Sequence, residues 1–165
     1  MEKIRIGVSA CLLGEKVRYD GQHKLDSYIT ETLSQCFHLI AVCPELELGL
    51  GVPRETMQLE GNPDSPRLMT KKNRIDLTER MLIWSQERVQ GLMFENLRGF
   101  IFKSNSPSCG IEDVAVLVEN RSSAERGSGL FAQAFMKQFP ELPVIDEEQL
   151  QDPALRAGFI ARVSQ

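Results

Sequence analysis

At the start of the chain, Ile4, Ile6 and Val8 alternate with Arg5, Gly7 and Ser9. A two-residue apolar period predicts a strand over residues 3–9. "ACLLGEKVRYDGQHK" breaks the period, with Gly14 and Gly21 marking irregular structure. Tyr28, Ile29, Leu33, Cys36 and Phe37 recur near helical spacing, so a helix is predicted over 26–37. "HLIAVC", residues 38–43, is mostly apolar and reads as a strand buried on both faces. Gly61, Pro63 and Pro66 interrupt residues 57–74, where a short strand plus an exposed loop is expected.

Residues 76–97 carry the clearest helical pattern. Leu77, Met81, Ser85, Val89, Leu92, Met93 and Asn96 share one face, and Asp76 with Glu79 makes a capping-box-like start. Strands are predicted over 99–104, 113–119 and 142–146, and helices over 129–139 and 153–163. This alternation points to an α/β fold: a single three-layer, Rossmann-like domain with a mainly parallel sheet over residues 1–165.

Composition alters that picture little. Hydrophobic residues make up 42% and charged residues 25%, as in ordinary globular domains, so global disorder is not expected. A net charge of −4 argues against a strongly nucleic-acid-binding surface. The first apolar run is too short and broken for a secretory signal, and no stretch approaches the ~20 apolar residues of a membrane span. A cytoplasmic protein without membrane partners is expected.

The candidate chemistry lies in four cysteines. A reducing compartment disfavours disulfides, and Cys11, Cys36, Cys43 and Cys109 lack the paired spacing of a zinc ribbon. Cys36 falls on the apolar side of a predicted helix and is expected to be a small core residue. Cys11, Cys43 and Cys109 each end or follow a predicted strand, within loops rich in glycine, proline and polar residues. The carboxyl ends of parallel strands share one edge, so the three could converge there. Packing competes with a metal site as the reason for each, since cysteine is often buried. Three adjacent thiolates would repel, and a metal or iron–sulfur cluster would neutralise them.

"SACLLGEKVRYDG", "CPELELGLGVPRE" and "KSNSPSCG" resemble the signature segments of the thiouracil desulfurase family (TudS type). The resemblance runs over nearly the whole chain. It implies a [4Fe–4S] cluster held by Cys11, Cys43 and Cys109, one iron left open, and non-redox removal of sulfur from thiolated uracil compounds. The C-terminal part is most similar to the N-terminal desulfurase domain of longer tRNA 4-thiouridine desulfidases. This chain ends where their helical domain would begin, so that domain is expected to be absent. Thiolated pyrimidine bases or nucleotides are then better-suited substrates than tRNA.

Within that resemblance, Glu45 is the expected acid/base, being two residues from Cys43, with Glu47 its nearest rival. Ser104 is expected to orient substrate or relay a proton. Ser106 and Ser108 would bind substrate or hold their own loop. Lys103 would meet an anionic group such as phosphate. Tyr19 would stack on a pyrimidine, and Arg18, Asp20 and Arg54 would read polar edges or pair internally. Gly110 would let the backbone approach the cluster. Two rival readings remain: a non-catalytic iron–sulfur or zinc module, and a metal-free enzyme with Cys109 as nucleophile.

Overall fold

The computed structural model describes residues 2–118 and 124–165; Glu119, the last residue of an expected strand, lies outside them. Strands β1 (Ile4–Ser9), β2 (Phe37–Val42), β5 (Leu97–Phe102) and β8 (Val144–Asp146) form one sheet in the order β2-β1-β5-β8. Every neighbouring pair in it is parallel. Its two faces are covered by different elements, which makes three layers. On one face Ile6, Val8 and Ile101 pack with Ile29, Leu33, Phe159 and Val163. The last two belong to α5 (Pro153–Val163). On the other face Phe100 and Phe102 meet Val89 and Leu92 of α3 (Thr78–Leu92) and Phe131 and Phe135 of α4 (Leu130–Gln138).

Gly7 shows why that second face works. A Cβ there would stand 2.3 Å from the Phe100 ring, so only glycine leaves room for it. Phe100 stacks on Phe102 with ring centroids 4.1 Å apart, and both meet Phe131 and Phe135 edge-on.

A second sheet is mixed, with the order β4-β3-β6-β7. It holds β3 (Met57–Asn62), β4 (Ser65–Thr70), β6 (Val114–Leu117) and β7 (Glu125–Gly127). Where a short strand and an exposed loop were expected, β3 and β4 form an antiparallel hairpin. Pro66 is tolerated because β4 is an edge strand. Leu59, Leu68 and Val116 of this sheet pack with Met81 of α3 and with Leu77 just before it.

Other departures have local causes. The helix expected over 26–37 is a π-helix (Tyr28–Leu33) and a single α-turn, α1 (Ser34–Cys36). The chain turns into β2 at once, so Phe37 takes the inward position and Cys36 is exposed rather than in the core. β2 is an edge strand, only half-buried along its middle, not a strand covered on both faces. Helix α3 ends in a 3-10 turn at Met93–Glu95; Asn96 adopts a left-handed conformation there and β5 begins at Leu97. Met93 is therefore exposed. Among the described residues no helix is long and apolar enough to cross a membrane.

Candidate active site at the carboxyl edge of the parallel sheet

All four strands of the parallel sheet end at one edge. β1 leads to a 3-10 turn (Ala10–Leu13) that carries Cys11, and β2 leads to Cys43 and the short helix α2 (Pro44–Glu47). β5 leads to Lys103 and Ser104, and β8 to Glu147. Strand order reverses between β2 and β5 on either side of β1, the kind of switch point at which open α/β sheets bind ligands. A cavity of about 360 Å³ opens there, and Cys11, Cys43 and Cys109 all line it. Cys36 does not: it precedes β2, at the opposite edge.

Burial dominates the chemistry of the three thiols. It pushes Cys11 up to about 11; Lys103 opposes the rise and Cys43 adds to it. Burial also raises Cys43, against a hydrogen bond from the Leu46 backbone. Cys109 is driven up hardest by burial, opposed by a hydrogen bond from the Ser9 hydroxyl and reinforced by Cys43 and Cys11. Each thiol thus resists ionisation unless a cation compensates it. Among the described residues no group of three His, Cys, Asp or Glu side chains is arranged to hold a single metal ion.

The Cys109 loop is internally braced. Ser106 Oγ accepts from the backbone N–H of Ser108 (3.2 Å) and Cys109 (3.0 Å) and lies 3.1 Å from Ser108 Oγ. Both serines line the cavity, but these bonds are the loop-holding alternative. The loop's carbonyls also cap α4: Gly129 N–H donates to Gly110 O, Leu130 N–H to Pro107 O and Ala132 N–H to Ser108 O. A Cβ on Gly129 would stand 2.5 Å from the Ser108 carbonyl carbon. At Gly110 a Cβ would meet Val114 at 2.2 Å, so glycine serves the packing of the loop on β6 rather than an approach to the cavity.

Two ion pairs flank the thiols. Arg54 Nη2 lies 2.7 Å and Nε 3.3 Å from the same oxygen of Glu45, Oε2. The side chains are only 7% and 16% exposed, and Arg54 also donates to Val17 O and Gly51 O. Lys103 Nζ lies 3.0 Å from Glu147 Oε2. Ser104 donates to Glu147 through its backbone N–H (2.6 Å) and its hydroxyl (2.9 Å). Glu45, Arg54, Lys103 and Ser104 all line the cavity.

Arg18 and Tyr19 line it too, with the guanidinium 5.6 Å from the tyrosine ring centroid. Asp20 does not: its Oδ1 accepts from Gln22 N–H and closes an exposed turn. Glu47 is likewise occupied, accepting from Cys43 N–H and pairing with Arg88 of α3. Three residues escaped sequence reasoning. Ser9 reaches Cys109 and accepts from Lys103 N–H, Glu147 anchors Lys103 and Ser104, and Lys71 lines the cavity from beyond β4. For Ser9 and Glu147 the signal was available: a polar residue at the carboxyl end of a predicted parallel strand. For Lys71 none was.

The family description "2-thiouracil desulfurase" matches residues 6–147. The uncharacterized protein YbbK of Bacillus subtilis (strain 168) is 31% identical over 159 residues, covering 88% of this chain and 97% of its own. Among solved structures, a [4Fe-4S]-dependent thiouracil desulfidase, TudS, matches with a TM-score of 0.70 at 28% identity. That match covers 96% of this chain and 99% of the other. The family match runs from within β1 to Glu147 and so takes in every strand end at the cavity: this chain belongs to the 2-thiouracil desulfurase family.

Proposed function

We propose that the chain is a [4Fe–4S]-dependent desulfurase that replaces the sulfur of a thiolated uracil compound with oxygen. The observation that carries this is the meeting of Cys11, Cys43 and Cys109, from three distant segments, on one cavity without a fourth cysteine. The donor set is soft, all sulfur, and suits iron–sulfur ligation. Lys103 and Arg18, which already oppose the rise of Cys11, would offset thiolate charge. Three cysteines would leave one coordination position of a cubane free. When bound, the cluster would supply a Lewis-acidic iron with affinity for a thiocarbonyl sulfur.

The net change is C=S plus H₂O to C=O plus H₂S, with no change in oxidation level. Glu45 would move a proton from the attacking water. Both Arg54 bonds fall on Oε2, which leaves Oε1 for that work while the carboxylate is held still. Ser104 would orient the substrate or receive a proton, and the exposed Tyr19 ring would cover the pyrimidine. Lys103 is already neutralised by Glu147, so it is a poorer phosphate contact than expected. Arg18 and Lys71 line the cavity with no carboxylate partner among the described residues. They suit the phosphate of a thiolated nucleotide better.

The test is anaerobic purification and reconstitution, followed by incubation with 4-thiouracil and with 4-thiouridine monophosphate. A brown protein with roughly four irons per chain, releasing sulfide and the uracil product, is expected. Loss of iron in Cys109→Ser should accompany loss of turnover. A colourless chain that is fully active would overturn the cluster reading. A brown chain that releases no sulfide from either compound would overturn the catalytic one.

A further inference from the structure

Glu147 does not line the cavity, yet it is tied to two residues that do. The tie follows from strand register: β5 and β8 are parallel, with Phe102 opposite Asp146, so the next residues, Lys103 and Glu147, emerge side by side. One carboxylate oxygen accepts the Ser104 backbone N–H, and the other accepts its hydroxyl and faces the Lys103 ammonium. Lys103 Nζ closes the ring by donating to Ser104 O (2.9 Å) and Oγ (3.2 Å). Lys103 and Glu147 are only 19% and 14% exposed, so water competes weakly for these bonds.

We propose that Glu147 is a positioning residue, which fixes the Lys103 ammonium and turns the Ser104 hydroxyl proton away from the cavity. A carboxylate cannot donate, so the Ser104 proton points at Glu147, and the hydroxyl oxygen is left an acceptor, taking Lys103 Nζ at 3.2 Å and Asn105 Nδ2 at 3.4 Å. The same carboxylate holds Lys103 beside Ser104, within electrostatic reach of Cys11. The catalytic part of this inference rests on the desulfurase reading; the positioning part does not. Reading Ser104 as an acceptor narrows its role to receiving a proton or an N–H from water or substrate in place of the long Asn105 bond.

The experiment compares the parent chain with Glu147→Gln, Glu147→Asp, Ser104→Ala and the Glu147→Gln/Ser104→Ala double variant. Lys103 acetylation by acetic anhydride, followed by mass spectrometry against exposed Lys72, reports position without any need for turnover. In Glu147→Gln, Lys103 labelling should rise severalfold while iron content stays at the parent value and the chain, though it melts lower, remains folded at the assay temperature. Its kcat should fall about 10–100-fold, the scale of one lost charge-assisted hydrogen bond, with KM little changed. Glu147→Asp should recover part of both, and the double variant should be no slower than Ser104→Ala alone.

Unchanged Lys103 labelling, unchanged kcat, or strictly additive losses in the double variant would each overturn the proposal. Loss of iron or of the fold in both Glu147 variants would overturn it in favour of general support for the loop. Increased labelling with no desulfuration by the parent chain would sink the desulfurase reading and still support the positioning.

Discussion

The two edges of the parallel sheet make an instructive pair. At the carboxyl edge, charges come in shielded pairs: Arg54 with Glu45 and Lys103 with Glu147, none more than 19% exposed. At the amino edge a second hollow is lined by Lys3, Arg5, Ser34 and His38, and Arg5 pairs with Glu95. That pair is about a third exposed, and Arg5 Nε is buried without a partner among the described residues. Both edges hold cations in a concave surface. Among the described residues, the carboxyl edge alone adds thiols, together with carboxylates that each accept more than one bond. A hollow lined with charge is thus a weak functional signal, and redundant fixing of its polar groups is a stronger one.

The sharpest way to break that contrast is at Glu45. Glu45→Ala should lower kcat about 10²–10⁴-fold, as loss of an acid/base group does, with iron content unchanged. Steady-state sulfide release and iron analysis would check it, and a variant that retains turnover would remove Glu45 from the mechanism. Next come the ion pairs themselves. Arg54→Met leaves Glu45 part-buried and uncompensated, and should cost about 3–5 kcal/mol in denaturant unfolding. Arg5→Met at the solvated edge should cost about 0–1 kcal/mol. Similar losses at both would erase the distinction.

A smaller effect is expected at Gly129, where an added methyl would press on the Ser108 and Cys109 backbone. Gly129→Ala should cost about 1–3 kcal/mol and reduce iron retention, because backbone cannot swing aside as a side chain does. Thermal melts with iron analysis of the same samples would measure it. The smallest concerns Asp76, away from either edge. Hydrogen bonds from Thr78 and then Arg67 hold its carboxyl at about 2, below the ordinary 3.8. A lowered acid contributes stability above its unfolded value, and loses it as pH falls from about 3.8 towards 2. Because Asp76 is exposed, Asp76→Asn should change stability at neutral pH by under about 1 kcal/mol and flatten only that acid limb.

Strands whose period is local were legible in advance. β1 and α5 fall where the pattern puts them, and three cysteines at strand ends do line one cavity. The hairpin β3–β4 was hidden because Pro66 and Gly61 are breakers in general, yet here they face each other at a sheet edge. Cys36 was misplaced because a helical period assumes 3.6 residues per turn, and the π-helical winding alters which side faces in. Asp20 was grouped with Arg18 and Tyr19 by adjacency alone, whereas its side chain closes its own turn.

What the sequence determined by itself was the inventory: an alternating α/β pattern, and thiols, carboxylates and a lysine held in three loops after strands. Which of these groups are free and which are committed was decided only by the tertiary structure. Lys103 looks like a phosphate contact until strand register sets Glu147 beside it, 44 residues on. Glu45 and Glu47 look interchangeable until Arg54 takes one and Arg88 the other. The reason is physical. Period and turn chemistry act over a few residues, while the partner that holds a buried charge comes from wherever the sheet brings a strand end.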